Sequence, residues 1–267
     1  MITFSLQSGS NGNAFYVEHN DVGLLFDAGI SGKQARMRME AHGRDIRKAK
    51  ALLITHDHTD HVRNAGVFQR LFKIPIYMTE PTYRASRNML GQVYDIRYFK
   101  AGDTLEFGPV RVHSQPTPHD AADGLTYIVE TGEKAAAPGA SGNGSNGRKR
   151  LGIFTDLGHP TDALIAQLES VDAAFLESNY DPMMLEEGPY PPDLKARIRG
   201  AGGHLSNEES AQLIQHCNGR HRWIALAHLS EHNNHPTVAL KTHRSLLGHE
   251  RVLHVAGRYE VSEIYRL

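Results

Sequence analysis

A short segment in the first quarter of the chain concentrates residues that bind transition metals. His56, His58, Asp60 and His61 fall within six residues, directly after an apolar run that ends at Thr55. Imidazole and carboxylate ligands suit zinc, manganese or iron better than calcium or magnesium. A loop that curls after a rigid strand can turn the first two histidines toward one cation and the Asp-His pair toward a second. The alternative is a polar loop that is histidine-rich by chance, but the H-x-H-x-D-H spacing favours a metal site.

Further ligands must come from later in the chain, because four side chains leave two cations under-coordinated. Strand ends are the places to look, since layered α/β folds put their chemistry at the carboxyl ends of strands. His119 follows a strand-like region, Asp156 follows the apolar run 151–154, and His228 follows the apolar run 223–227. These three residues are therefore additional candidate ligands.

The composition narrows the class of protein. The chain has 267 residues, of which 40% are apolar and 22% charged, as in an ordinary soluble globular protein. A net charge of −1 argues against a protein that coats DNA non-specifically, although a nucleic-acid substrate stays possible. The single cysteine, Cys217, excludes an intrachain disulfide. With no membrane-spanning run and no signal-peptide pattern, we expect a cytoplasmic protein without membrane contact; the oligomeric state is left open.

Apolar runs of strand length alternate with helical patterns, which predicts an α/β layered fold. Helical spacing covers 61–72, 161–168 and 206–217. The last of these begins with Ser206 and Glu209, an S-x-x-E capping box.

Residues 132–150 are rich in Gly, Ala, Ser and Asn and lie between the strand-like runs 125–130 and 151–154. A flexible hairpin insertion explains this segment better than a linker between domains. We therefore expect one domain over residues 1–267.

The order of the candidate ligands resembles the five-motif series of the metallo-β-lactamase superfamily: HDHTDH, then His119, FTDLG at Asp156 and LAHLS at His228. The resemblance implies a four-layer αββα sandwich with the metal site at one edge of its two sheets. It also implies two divalent ions, zinc or manganese, with iron as a third candidate. The implied ligands are His56, His58 and His119 for the first metal, Asp60, His61 and His228 for the second, and Asp156 between them. Asp27 in LLFDAG matches an early aspartate that supports the ligand loop.

Longer stretches resemble the YycJ/WalJ family of bacterial metallo-β-lactamase-fold proteins, which are related to ribonuclease Z. They are SLQSGSNGN near the start, HDAAD, LESNYDPMML, GHLSNEES and LAHLSEHNN. This resemblance implies a metal-dependent phosphodiesterase or a DNA exonuclease that acts from the 5′ end. Tyr180 stands where that family usually has histidine, and the insertion is longer than is typical.

Glu177 and His204 are candidate catalytic residues by the same resemblance, since ribonuclease Z-like nucleases use a Glu-supported His at the scissile phosphate. His204 lies just before the helix that Ser206 caps, and the free N–H groups of a helix N-terminus favour phosphate. A glutamate beside the imidazole would orient it and raise its proton affinity. The alternative is a surface Glu177 and a His204 that belongs only to the cap.

Candidate substrate contacts are less distinct. Ser8, Ser10 and Asn11 lie in a Gly-rich turn that could approach a phosphate, or could be an ordinary tight turn. Asn233, in the loop behind His228, is a further candidate. Three basic residues before His204 could contact a polynucleotide or form a solvated face: Lys195, Arg197 and Arg199.

Together these features favour a phosphodiesterase, most simply a 5′-to-3′ exodeoxyribonuclease-like nuclease with DNA or RNA as substrate. A metal-activated hydroxide would attack phosphorus, Asp60 would orient it or take its proton, and His204, supported by Glu177, would protonate the leaving oxygen. One alternative is a hydrolase of a small cyclic phosphodiester or a thioester. The other is a non-catalytic regulatory protein, although structural zinc sites are normally closed and four-coordinate.

Overall fold

The computed structural model describes residues 1–132, 147–217 and 221–267, and these form two seven-stranded sheets with helices on both outer faces. The strands are β1 (Ile2–Gln7), β2 (Ala14–His19), β3 (Val22–Phe26), β4 (Ala49–Leu53), β5 (Ile76–Thr79), β6 (Ile96–Phe99), β7 (Thr104–Phe107), β8 (Val110–Pro116), β9 (Leu125–Thr131), β10 (Lys149–Phe154), β11 (Ala173–Glu177), β12 (Trp223–Ala227), β13 (Leu253–Val255) and β14 (Tyr265–Arg266). The helices are α1 (Gly32–Ala41), α2 (Thr59–Val62), α3 (Ala65–Phe72), α4 (Glu80–Leu90), α5 (Asp162–Glu169), α6 (Pro182–Glu187), α7 (Pro192–Arg199), α8 (Asn207–His216) and α9 (Pro236–Leu247).

The two sheets have matching topologies. The first runs β14-β1-β2-β3-β4-β5-β6, and the second runs β13-β12-β11-β10-β9-β8-β7. In the first sheet β3 to β6 are parallel, and in the second β10 to β13 are parallel. Each sheet therefore contributes parallel strands whose carboxyl ends reach one edge.

Alternation along the strands builds three apolar layers, because successive side chains point to opposite faces of a sheet. In β3, Leu24 and Phe26 pack between the sheets, while Leu25 packs against the first sheet's helices. In β11, Phe175 lies between the sheets and Leu176 packs against the helices of the second sheet. The result is the αββα sandwich expected from the sequence.

One expected element is confirmed, and another differs from the expectation. The Ser206–Glu209 capping box is present at the start of α8. The helix expected over 61–72 is instead two helices, α2 and α3, separated at Arg63 and Asn64. The break lets the Asn64 N–H donate to the carbonyl of Ala28, whose own N–H donates to the His61 carbonyl. These bonds tie the ligand loop to the end of β3.

The segment expected as an insertion joins β9 to β10, which pair antiparallel as a hairpin. Lys149 and Arg150, placed in the insertion by the sequence, belong to β10. Residues 133–146 of that segment lie outside the described residues. Among the residues described, no helix has the length and apolar character needed to cross a bilayer.

Candidate metal centre

The candidate ligands gather where parallel strands of both sheets end. Asp27 follows β3, and the loop that begins at His56 follows β4. From the second sheet, Asp156 follows β10, Glu177 is the last residue of β11 and His228 follows β12. The carboxyl ends of the two sheets therefore supply both halves of one site.

Three of these residues have left-handed backbone conformations. Their φ angles are +61° at Asp27, +60° at Asp156 and +56° at His228. Positive φ is uncommon outside glycine and concentrates at functional sites, where the surrounding structure holds it in place. Each strand thus ends in a sharp turn at a polar residue of the site.

The first group of possible ligands is His56, His58 and His119, whose nearest nitrogens all lie within 4.8 Å of one another. His119 Nε2 is 3.2 Å from His58 Nδ1. Two nitrogens bound to one tetrahedral zinc at about 2.05 Å lie roughly 3.3 Å apart, so this spacing suits a shared cation. His56 Nε2 is buried and has no hydrogen-bond partner within the described part of the chain. A metal ion would satisfy that nitrogen.

The second group is Asp60, His61 and His228. Asp60 Oδ2 lies 3.2 Å from His228 Nε2 and 3.5 Å from His61 Nε2. Asn13 Nδ2 also donates to Asp60 at 3.2 Å. Asn13 and His228, from opposite ends of the chain, thus both contact this carboxylate. The donor set of two imidazoles and one carboxylate fits a transition metal.

Asp156 lies between the two groups. Its Oδ2 is 3.1 Å from His61 Nε2, and its Oδ1 is 3.6 Å from both His119 Nε2 and His228 Nε2. Burial alone would raise the pKa of this carboxyl, but His228, His61 and the other imidazoles around it hold the pKa well below its ordinary value. Asp156 can therefore contact a cation in either group.

The site carries excess negative charge. Burial alone would lower the pKa of His228, yet the nearby carboxylates of Asp156, Asp60 and Glu177 raise it to about 10. The negative charge that retains a proton on this imidazole equally attracts a metal cation.

Every candidate histidine ligand has its second ring nitrogen anchored, which fixes the ring and frees the first nitrogen. The acceptors are Thr55 Oγ1 for His56 at 2.9 Å, the Asp120 carbonyl for His58 at 3.1 Å, Asp27 for His61 at 2.7 Å, the Gly203 carbonyl for His119 at 3.0 Å and Glu177 for His228 at 3.1 Å. A loop that was histidine-rich by chance would not show this arrangement.

Asp27 has a supporting position rather than a ligand position. It is fully buried, and Thr55 donates to it from both its N–H and its hydroxyl. Because Thr55 also accepts from His56, one aspartate and one threonine orient a histidine of each group.

Glu177 and His204 meet beside the ligand groups. Glu177 Oε1 lies 2.8 Å from His204 Nδ1 and 3.1 Å from His228 Nδ1. Glu177 is fully buried, and its Oε2 accepts from the N–H groups of Leu157 and Leu205. Burial would raise its pKa, but His204 and His228 outweigh that effect and lower it to about 2. The carboxylate is thus charged and fixed in place.

One expected feature of His204 differs. The sequence predicted free N–H groups at the start of α8 that would favour a phosphate. Two of these N–H groups already have partners, because Glu209 N–H donates to Ser206 in the capping box and Asn207 N–H donates to the Tyr180 carbonyl. Glu208 and Glu209 also add negative charge to that first turn. Both features disfavour an anion at this helix terminus.

The candidate substrate residues divide by exposure. Ser8 and Asn233 are fully buried, and neither can touch a substrate in this conformation. The Ser8 hydroxyl accepts from the His228 N–H at 2.8 Å, so it supports a ligand, and Asn233 bonds to Ser230. Ser10 lines the cleft beside the metal centre. Asn11 is partly exposed and bonds to Gln7.

Sequence reasoning missed several supporting residues. Asn13 bonds to Asp60, and Asn179 donates to the His228 carbonyl at 2.8 Å. Both asparagines stand in motifs that were recognised, SGSNGN and LESNYD, but an amide carries no chemical signature that would single it out. Tyr180 is buried, and its backbone forms an isolated β-bridge with Ser206.

A cleft of about 180 Å³ opens beside the metal centre. Its lining comes from the ligand loops, from α7 and its preceding loop, and from the residues around His204: Ser10, His58, Asp120, Asn179, Tyr190, Leu194, Arg197, Ile198, Gly203, His204 and Ser230. The candidate proton donor and one candidate ligand thus face the same space.

Comparison with known proteins agrees with this geometry. The model of the metallo-β-lactamase superfamily matches residues 8–148. Exodeoxyribonuclease YycJ of Bacillus anthracis is 33% identical over 237 residues, covering 88% of this chain and 84% of that protein. Exodeoxyribonuclease WalJ of Streptococcus pneumoniae is 34% identical over 242 residues, covering 89% and 84%. The chain belongs to the YycJ/WalJ family of the metallo-β-lactamase superfamily.

Solved structures confirm the fold of this YycJ/WalJ family member. The metallo-β-lactamase fold protein YhfI of Bacillus subtilis superposes with a TM-score of 0.71 at 15% identity, covering 98% of this chain and 99% of that one. Human tRNase Z, short form, gives a TM-score of 0.67 at 14% identity over the full length of both chains. Family membership also confirms the expected enzyme class, a hydrolase of this superfamily.

Proposed function

We propose that the protein is an exodeoxyribonuclease that removes nucleotides from the 5′ end of DNA with two divalent metal ions. The observation that carries the proposal is the position of Asp156 between the two groups of candidate ligands. His204 lies beside these groups and is hydrogen-bonded to the buried Glu177. The relatives named exodeoxyribonuclease support DNA as the substrate.

The proposed ligands follow the two groups. His56, His58 and His119 would hold one ion and Asp60, His61 and His228 the other, with Asp156 available to both groups. Zinc, manganese and iron all suit this mixture of imidazoles and carboxylates. Two such ions would make a water molecule nucleophilic near neutral pH and offset the charge that develops on the phosphate.

In the proposed hydrolysis, side chains of the protein transfer the protons. Asp60, anchored by Asn13, orients the attacking water and accepts its proton. Glu177 binds His204 through Nδ1, which leaves Nε2 to face the cleft and protonate the leaving oxygen. The buried carboxylate fixes the direction of the imidazole, so that proton transfer needs little rearrangement.

The decisive experiment is hydrolysis by metal-reconstituted protein. Substrates are 5′-labelled single-stranded and double-stranded DNA, RNA, and bis(p-nitrophenyl) phosphate. We expect stepwise release of nucleotides from DNA, abolished by chelation and by Asp156→Ala, and retained in Asp162→Ala, an exposed aspartate on α5. Cleavage of the small ester alone would replace the proposal by a small-phosphodiester hydrolase. No cleavage of any substrate by protein that has bound metal would refute it.

A further inference from the structure

The cleft beside the metal centre has two kinds of lining residue. His58 and His204 are chemically active, and Tyr190, Leu194 and Ile198 are largely apolar. The latter three are four residues apart in sequence, and Leu194 and Ile198 share a face of α7. The cleft thus combines polar groups with an apolar strip formed by these three residues.

Tyr190 is the first residue of this apolar strip, and it is held in place. Its ring makes an edge-on contact with His232, with ring centroids 5.6 Å apart. The residue is partly exposed, so one part of the ring stays open to the cleft. An aromatic ring held in this way is the usual platform for an unpaired base.

Arg197 is the basic group of the cleft. Its Nε donates to Asp120, whose other carboxylate oxygen lies 3.6 Å from both His58 Nε2 and His119 Nε2. Arg197 is thereby anchored next to the first ligand group. Asp120 takes up one of the five N–H donors of the guanidinium, and a phosphate can use the others.

The neighbouring basic residues of α7 are engaged elsewhere. Lys195 bonds to the Glu186 carbonyl, and Arg199 pairs with the Glu186 carboxylate. Neither residue lines the cleft. The structure therefore separates Arg197 from the two basic residues that the sequence could not distinguish from it.

We propose that this cleft binds the terminal nucleoside of the strand, with its base against Tyr190 and Leu194 and its 5′-phosphate on Arg197. The assignment deepens the proposed function and rests on it. Since His204 lies in the same cleft, the 3′ oxygen of the bound nucleotide is the leaving atom that it protonates.

Direct binding tests the subsite apart from catalysis. Calorimetry would measure binding of 5′-dAMP and deoxyadenosine to metal-loaded protein. We expect 5′-dAMP to bind more tightly than deoxyadenosine. Tyr190→Ala should weaken it about tenfold, as expected for one lost stacking contact, and Tyr190→Phe should restore binding. Arg197→Ala should reduce 5′-dAMP to the affinity of deoxyadenosine. Arg199→Ala, on the same helix and also paired with a carboxylate, should change neither.

The outcomes separate this inference from the proposed function. If the protein degrades DNA but 5′-dAMP binds no better than deoxyadenosine, or no better to wild type than to Arg197→Ala, the subsite is refuted and the nuclease stands. If 5′-dAMP binds as expected and DNA is not cut, the proposed function fails while the nucleotide site stands.

Discussion

The carboxylate of Glu177 lies 2.8 Å from Nδ1 of His204, although the two residues come from different elements. Glu177 ends β11, and His204 precedes α8. The same Glu177 oxygen also contacts His228, a candidate ligand. One buried carboxylate thus links the proposed proton donor to the metal centre, so that their positions are coupled.

Replacing His204 should slow cleavage most for substrates whose leaving group must be protonated. We expect His204→Ala to reduce kcat on DNA by about 10²–10⁴-fold, the usual contribution of general acid catalysis. Bis(p-nitrophenyl) phosphate should lose much less, because p-nitrophenolate leaves without protonation. Metal content should match that of wild type. Equal losses on both substrates would contradict a role as proton donor.

Asp27→Asn should weaken metal binding without removing a ligand. The substitution removes the charged acceptor of His61 Nδ1, and loss of such a supporting group typically costs 10–100-fold in metal affinity. Competition with a chelator would measure it. Asp21→Asn is the matched control, since Asp21 is exposed and also has a positive φ. Unchanged affinity in Asp27→Asn would show that Asp27 does not orient the ligand.

Tyr127→Phe should destabilise the fold by about 1–2 kcal/mol. The Tyr127 hydroxyl on β9 donates to the Ile54 carbonyl at 2.7 Å, which links the second sheet to the strand end that precedes the ligand loop. The variant leaves a buried carbonyl without its donor. Denaturant unfolding would measure the change, with Tyr98→Phe at a half-exposed tyrosine as control. Equal loss in both variants would argue against this bond.

Acid should destabilise the protein partly through His243. Burial lowers the pKa of this histidine to about 4, and its Nδ1 donates to the Ala239 carbonyl. Below pH 6.5 the unfolded chain takes up a proton that the folded chain refuses, so stability falls as the pH drops toward 4. The loss reaches at most about 3 kcal/mol.

The test compares His243→Gln with wild type between pH 7 and 4 by urea unfolding. The variant should lose less stability over this range than wild type does. His249→Gln, at an exposed histidine, should follow wild type. A parallel decline in His243→Gln and wild type would show that another group causes the acid sensitivity.

Much of the site could be anticipated because ligand chemistry limits the residue types. Only a few side chains bind transition metals, and the parallel strands were recognisable as apolar runs. His119, Asp156 and His228 were therefore predicted from their positions after strands, and the structure brings them together with the HDHTDH loop.

What the sequence did not reveal depends on contacts between distant segments. Asn13 and Thr55 are ordinary polar residues until the fold places them against Asp60 and Asp27. Burial likewise decides that Ser8 supports His228 instead of facing solvent. The split of the expected helix at Asn64 accompanies a hydrogen bond to the carbonyl of Ala28, just beyond β3, which no local pattern encodes.

The antiparallel pair of β9 and β10 has one end at the ligands and the other end remote from them. Thr131 pairs with Lys149 there, while Phe154 leads directly into the site. At about 3.3 Å per residue, the six residues of β10 separate the two ends by roughly 20 Å. A fluorophore or surface tether attached at that remote end would therefore lie roughly 20 Å from the ligands, so the proposed exonuclease could be followed one molecule at a time on a long DNA.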